Sequence, residues 1–346
     1  MTEIPTLRLS DPADVAAAVP YLLGFHPTES IVVLGLQSMP PATRRIVFSA
    51  RWDIIPETQR LAVEVAEMVR RQRSVESVLL IAFGSAETAV PALEACRVAI
   101  WVPVGTAVRV TDDRCYCVLC DECMPPEGLL VGADRSRVAA EATFLGLGVF
   151  PDRDALVRSV GPIGGLQPIA MAQAVARADE RLIALIESSA TESDPFGGQV
   201  LRRAGVQAVD EAMAAAQADR LPDDDTLAWL TLMLESIAVR DHAWESTDRA
   251  PWQLRFWLDV TRRAHPELVT PSATLLAFAA WRAGDGALAG VALARALSYD
   301  PHYSLALLLR DAMQQGIGPE ALGRWPFGSA KRRRKKSRRR GVFLRR

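Results

Sequence analysis

Ser77-Val78-Leu79-Leu80-Ile81-Ala82-Phe83 is a seven-residue apolar run rich in branched side chains, followed at once by Gly84-Ser85 and then by a helical pattern from about Ala86 to Trp101. A run this short, bounded by turn residues, reads as a buried strand, and the helix after it makes a βα unit. Working upstream, Ile31-Val32-Val33-Leu34-Gly35-Leu36 reads as another buried strand, a second follows at about Arg45 to Trp52, and a helix runs from about Pro56 to Arg73. Met39-Pro40-Pro41 between the first two strands suits either a hairpin or a wider loop. A helix at about Asp11 to Leu22 precedes them, and a strand at Ala107 to Thr111 continues the alternation downstream. The spacing predicts an α/β N-terminal domain with a Rossmann-like three-layer sheet.

From Leu166 onward the pattern is helical. Helices are expected at about Leu166 to Ser189, Gln199 to Asp219, Thr226 to Val239, Trp252 to His265, Ser272 to Ala283, Ala287 to Tyr299 and Tyr303 to Gln315, with Asp223-Asp224-Asp225 capping the third. The expected organisation is an α/β domain over 1–160, an all-α helical-hairpin domain over 161–325, and a disordered basic tail over 326–346. Small residues and Asp300-Pro301 give 272–315 the spacing of a tetratricopeptide-like unit. The five tryptophans Trp229, Trp244, Trp252, Trp257 and Trp281 read first as helix core, with a peptide-binding groove as the functional alternative. His242, His265 and His302 fall near helix ends.

Charge is segregated. The formal net charge is -1, yet residues 331–346 carry 11 of the 40 Lys and Arg and no acid, which leaves 29 minus 41, or -12, on the rest. Any polyanion affinity therefore belongs to Lys331, Arg332, Arg333, Arg334, Lys335, Lys336, Arg338, Arg339 and Arg340, with nucleic acid or an anionic membrane surface as partner. The first residues lack a cationic start with an apolar run, and no segment has the length and apolarity of a transmembrane helix, so a cytoplasmic location is expected.

Four of the five cysteines, Cys115, Cys117, Cys120 and Cys123, lie within nine residues. Four thiolates suit tetrahedral zinc or an iron–sulfur cluster. Cys115 and Cys117 would share one face of a strand and the other two the turn after it, whereas zinc sites usually draw ligand pairs from separate segments. Free thiols or one local disulfide are the structural alternatives. His26 and Glu29 stand three residues apart before the first strand and suit acid-base work. Gly84 and Ser85 follow a strand, where open α/β sheets bind ligands, and their amides open a helix. In a parallel sheet, His26 and Glu29 would lie at the opposite, amino end. Neither G-x-G-x-x-G nor a Walker lysine is present.

Leu9-Ser10-Asp11-Pro12, Val19 through Pro27 and Ser30 through Leu36, with Cys120 through Gly128, resemble a family of uncharacterised actinobacterial proteins defined by a domain of unknown function. Ala279 through Ala289, Asp300-Pro301 and Tyr303 through Ala306 are similar to that family's second signature, so the resemblance spans about residues 7 to 318. It implies no assigned activity, substrate or catalytic residue. Met124 after Cys123 departs from the family pattern, and Cys115 and Cys117 are additional, so a four-cysteine site would be a property of this chain. The reading that follows from sequence is a non-enzymatic adaptor that binds a protein partner through its helical half and a polyanion through its tail. The alternative is an enzyme or small-ligand sensor with its pocket at the strand ends near Ser85.

Overall fold

Strand β1 (Ser30–Met39) sends successive side chains to two different cores. In the computed structural model, which describes residues 11–39, 43–120, 122–131, 148–191, 194 and 197–319, Ile31 and Val33 face α2 (Thr58–Arg71) and α3 (Ala86–Ala99), where they join Leu61, Val65 and Leu93. Val32, Leu34 and Leu36 face the other way, into a cluster with Val15 and Val19 of α1 (Pro12–Leu23). Ile31 through Leu34 are all fully buried. A strand covered on both faces needs a continuous apolar run, which is why this stretch does not alternate.

The expected layering of helices on both faces is present, and the sheet is mixed. Its order is β2-β1-β3-β4-β5-β6, with β2 Thr43–Asp53, β3 Ser77–Phe83, β4 Val104–Thr111, β5 Arg114–Cys117 and β6 Leu129–Leu130. β1 and β2 form a hairpin, β1 runs antiparallel to β3, and β3 and β4 are parallel. β4 and β5 form a second, tight hairpin around Asp112-Asp113, and β6 pairs antiparallel with β5. The antiparallel setting of β1 pairs Ser30 with Phe83, so the start of β1 lies at the carboxyl end of β3.

The second half is helical: α4 (Arg153–Val160), α5 (Gln167–Ser189), α6 (Gly198–Gln217), α7 (Asp224–Met233), α8 (Ile237–Ser246), α9 (Pro251–Arg263), α10 (Val269–Ala283), α11 (Gly286–Tyr299) and α12 (Ser304–Gln314). Asp223 caps α7 as expected, accepting from the Thr226 amide at 2.8 Å. The single helix expected through Val239 is instead two, broken at residues 234–236 with Ser236 extended. The break brings Val239 of α8 against the buried Gly205 of α6. Here tertiary packing overrides helix propensity.

α10 is the centre of the helical half. Every residue from Val269 to Trp281 is buried, the signature of a helix surrounded by others. Its polar side chains turn back on their own backbone: Ser272 donates to the Val269 carbonyl and Thr274 to that of Thr270, both at 2.9 Å. Trp229, Trp244, Trp257 and Trp281 are buried, and Trp244 stacks on Phe278 with centroids 3.5 Å apart. Trp257 donates through Nε1 to Thr247 Oγ1 at 3.0 Å, and that hydroxyl donates to the Ala243 carbonyl at 2.8 Å. α4 is the link to the sheet half. Its Leu156 and Val160 lie in the large cluster, Arg295 Nη1 donates to the Val160 carbonyl, and the Ile163 amide after it donates to Arg262 at 3.1 Å.

Two stability predictions follow from these contacts. Thr247→Val leaves the buried Trp257 N–H without an acceptor, and chemical denaturation is expected to show a loss of about 1–3 kcal/mol. Asp285 caps α11 by accepting from the Leu288 amide at 2.9 Å, and burial pushes its carboxyl up from the ordinary aspartate value, against the effect of the amide bonds. A raised carboxyl contributes stability that is complete below the unfolded value, near pH 4, and is lost as pH rises through the folded one. Asp285→Asn keeps the capping oxygen and removes the titration. Denaturation midpoints of the variant should therefore exceed those of the wild type at pH 7, with the gap closing toward pH 4; a gap independent of pH would refute the assignment.

Candidate functional site

The loop from Gly24 to Glu29 is held at the carboxyl end of β3 by backbone bonds on both sides. The His26 amide donates to Phe150 at 3.1 Å, the Phe150 amide donates to Gly24 at 2.8 Å, and the Ile54 amide donates to Glu29 at 2.9 Å. Ser30 anchors the strand start, donating to the Thr28 carbonyl and accepting from Arg51 Nε at 2.8 Å. Arg51 in turn pairs with Asp53 and lies 5.7 Å from the Phe25 ring centroid.

This loop forms one wall of a cleft of about 400 Å³. His26, Thr28 and Glu29 contribute from the loop, Tyr21 and Pro20 from α1, Phe83 and Gly84 from the end of β3, and Thr111, Asp112 and Asp113 from the end of β4. Ala16, Val110 and Val131 supply apolar surface. Among the described residues the titratable lining is three carboxylates, one imidazole and one phenol, with no lysine or arginine. A volume of this size falls within the range of small-molecule pockets.

Backbone conformation marks the same place. Among the described residues, four non-glycine residues have positive φ: Glu29 (39°), Asp112 (48°), Asp113 (58°) and Asp219 (57°). Three of them line the cleft. Asp112-Asp113 is the two-residue turn of the β4–β5 hairpin, with both residues in the left-handed region that such turns require. Asn-Gly would adopt it at lower cost. Gly84 is required beside Glu29: its φ is 152°, and a Cβ there would stand 3.0 Å from Glu29 Oε1.

Three of the four residues proposed for a strand-end pocket, His26, Glu29 and Gly84, thus line one cleft, and Ser85 sits beside it as the cap of α3, accepting from the Thr88 amide at 3.4 Å. The placement of His26 and Glu29 at the opposite end from Gly84 is corrected, because β1 is antiparallel to β3. A carboxylate of the chain itself stands at the start of α3: Glu29 Oε2 accepts from Thr88 Oγ1 at 3.0 Å. Tyr21, Thr111, Asp112 and Asp113 are not pocket candidates from sequence, where Asp112-Asp113 reads only as the turn before the cysteine loop. Two consecutive aspartates between strand-like runs were the available signal for a hairpin turn at a strand end.

The cysteine loop lies at the other end of the β4–β5 hairpin. The Sγ atoms of Cys117, Cys120 and Cys123 all lie within 4.8 Å of one another, and Cys120 and Cys123 are joined as a disulfide. Cys115 is not in that group. It is fully buried in the large apolar cluster, where burial above all, and secondarily the Asp11 carboxylate, pushes its thiol up. Lys331 through Arg340 lie outside the described residues.

Neither a curated protein nor a solved structure matches the chain. No helix among the described residues is long and apolar enough to cross a membrane. Residues 12–320 match the family described as domain of unknown function (DUF4192), and the chain belongs to that family.

Proposed function

We propose that the α/β half is a small-ligand site, of a sensor or of an enzyme using His26 for acid-base work, and that its ligand carries a positive charge or an array of hydrogen-bond donors. The observation that carries this reading is the convergence of Glu29, Asp112 and Asp113, all with positive φ, on one cleft that has no lysine or arginine among its described lining residues. Residues held in sparsely populated backbone regions cluster where a binding surface needs them. The apolar wall of Ala16, Pro20 and Val110 takes the carbon part of the ligand, while the carboxylates take its cationic or donor end.

A second reading assigns the helical half to a protein partner and the tail to a polyanion, which makes the chain an adaptor; the tetratricopeptide-like spacing of 272–315 belongs to it. It is supported by the exposed Ile169 and Ile183, which helical spacing places on the side of α5 opposite the buried Met171, Ala174 and Ala178, and by the exposed Leu166 just before the helix. Charge segregation supports the tail's part.

The first reading is tested by thermal-shift and NMR titration of the full chain with a panel of amines, guanidines and neutral polyols. A ligand at a hundred times its Kd should stabilise by about 2.7 kcal/mol, and Glu29→Gln or the pair Asp112→Asn, Asp113→Asn should remove the shift for amines and guanidines. No response across the panel, or a response unchanged by these variants, would refute it. Replacing Asp112-Asp113 by Asn-Gly should raise stability by about 1 kcal/mol while weakening binding, because it relieves the turn and removes the carboxylates together. Deleting residues 331–346 should abolish salt-dependent binding to RNA, DNA or anionic vesicles; unchanged binding would remove the tail from the adaptor reading.

A further inference from the structure

Between Cys117 at the end of β5 and Leu129 at the start of β6, the chain makes an excursion that is closed at its base. Arg114 Nη1 donates to the carbonyls of Glu127 at 2.8 Å and Gly128 at 3.0 Å. Gly128, with φ of 72°, passes so near β5 that a Cβ there would lie 2.8 Å from the Cys115 carbonyl oxygen. This closure folds Cys120 and Cys123 back onto Cys117. Three cysteines spaced by two residues are thereby gathered within 4.8 Å, half-exposed or exposed, on a loop outside both cores.

One distance gives the group a ligand-binding character. Cys117 Sγ lies 3.7 Å from Cys120 Sγ; a tetrahedral ion with metal–sulfur bonds of about 2.3 Å requires sulfurs about 3.8 Å apart. The Leu119 amide donates to Cys117 Sγ at 3.4 Å, which holds that sulfur beside the loop. Cys115 does not complete the set: it is not among the sulfurs gathered within 4.8 Å and is buried in the large apolar cluster.

We propose that Cys117, Cys120 and Cys123 form a three-thiolate site for a single soft metal ion, zinc being the best match, with the fourth tetrahedral position left to water or an incoming ligand. The site is separate from the cleft, which lies at the opposite end of the same hairpin. Loading starts from the Cys120–Cys123 disulfide. A thiol or dithiol reductant delivers two electrons, the S–S bond breaks, each sulfur takes a proton, and the reductant leaves as its own disulfide. Binding a divalent ion then forms three metal–sulfur bonds and releases three thiol protons to solvent. A single ion fits better than a 4Fe–4S cluster, in which each thiolate sits on a different iron and the sulfurs stand farther apart.

The test is a cobalt(II) titration of the full chain, reduced with a phosphine that is then removed under anaerobic conditions. One equivalent is expected to produce thiolate-to-cobalt charge-transfer absorption and the visible bands of tetrahedral cobalt, both displaced by one equivalent of zinc. The pair Cys120→Ser, Cys123→Ser should abolish these bands with circular dichroism unchanged, and Cys117→Ser should do the same. Cys115→Ala and Cys96→Ala should keep them, and Cys115→Val serves where the alanine variant unfolds. A weak octahedral spectrum on fully reduced protein, or bands that survive loss of Cys120 and Cys123, would overturn the assignment, and loss of the bands in a folded Cys115 variant would replace it with a four-thiol site.

Discussion

Strand β1 is hydrogen-bonded on both edges and buried on both faces, and the architecture of the sheet half depends on it. Moving it by one residue would exchange Ile31 and Val33 for Val32, Leu34 and Leu36 between two cores of different shape, so its register is strongly determined. Its antiparallel direction has a second effect. The loop that enters it arrives where β3 and β4 end, which places an imidazole and a carboxylate among residues from three other elements. Reversing that one strand would dissolve the cleft without altering the amino-acid composition of any element.

Most elements were legible because their signals are local. The apolar runs at Ile31 and Ser77, the cap at Asp223 and the Gly284-Asp285-Gly286 turn each specify structure within a few residues. The order of strands and the direction of β1 were not, because strand pairing depends on contacts between residues distant in sequence. The candidate site inherited that gap. His26, Glu29 and Gly84 were identifiable as residues able to carry chemistry, but their meeting depends on the Ser30 to Phe83 pairing. The break at residues 234–236 was hidden for a related reason: an apolar helical pattern runs through it, and the demand comes from Gly205 on another helix.

Polar groups are satisfied in two ways. Three buried hydroxyls of the helical half, those of Thr231, Ser272 and Thr274, bond to carbonyls one turn back and so sit in the core without a tertiary polar partner. Around the cleft the corresponding groups reach between elements, as Glu29 does to Thr88 and Arg51 does to Ser30. The first arrangement is indifferent to the surroundings. The second leaves oxygen atoms facing a space, where a binding surface requires them.

The dependence of α4 on α9 and α11 has a consequence during synthesis. Leu156 and Val160 leave the ribosome well before the segments that bury them, and Arg295, which donates to the Val160 carbonyl, is more than a hundred residues behind. At ordinary elongation rates that gap is on the order of 10 s. For that interval the completed sheet carries an amphipathic helix whose two core residues, Leu156 and Val160, are uncovered, and a chain stalled there would expose them.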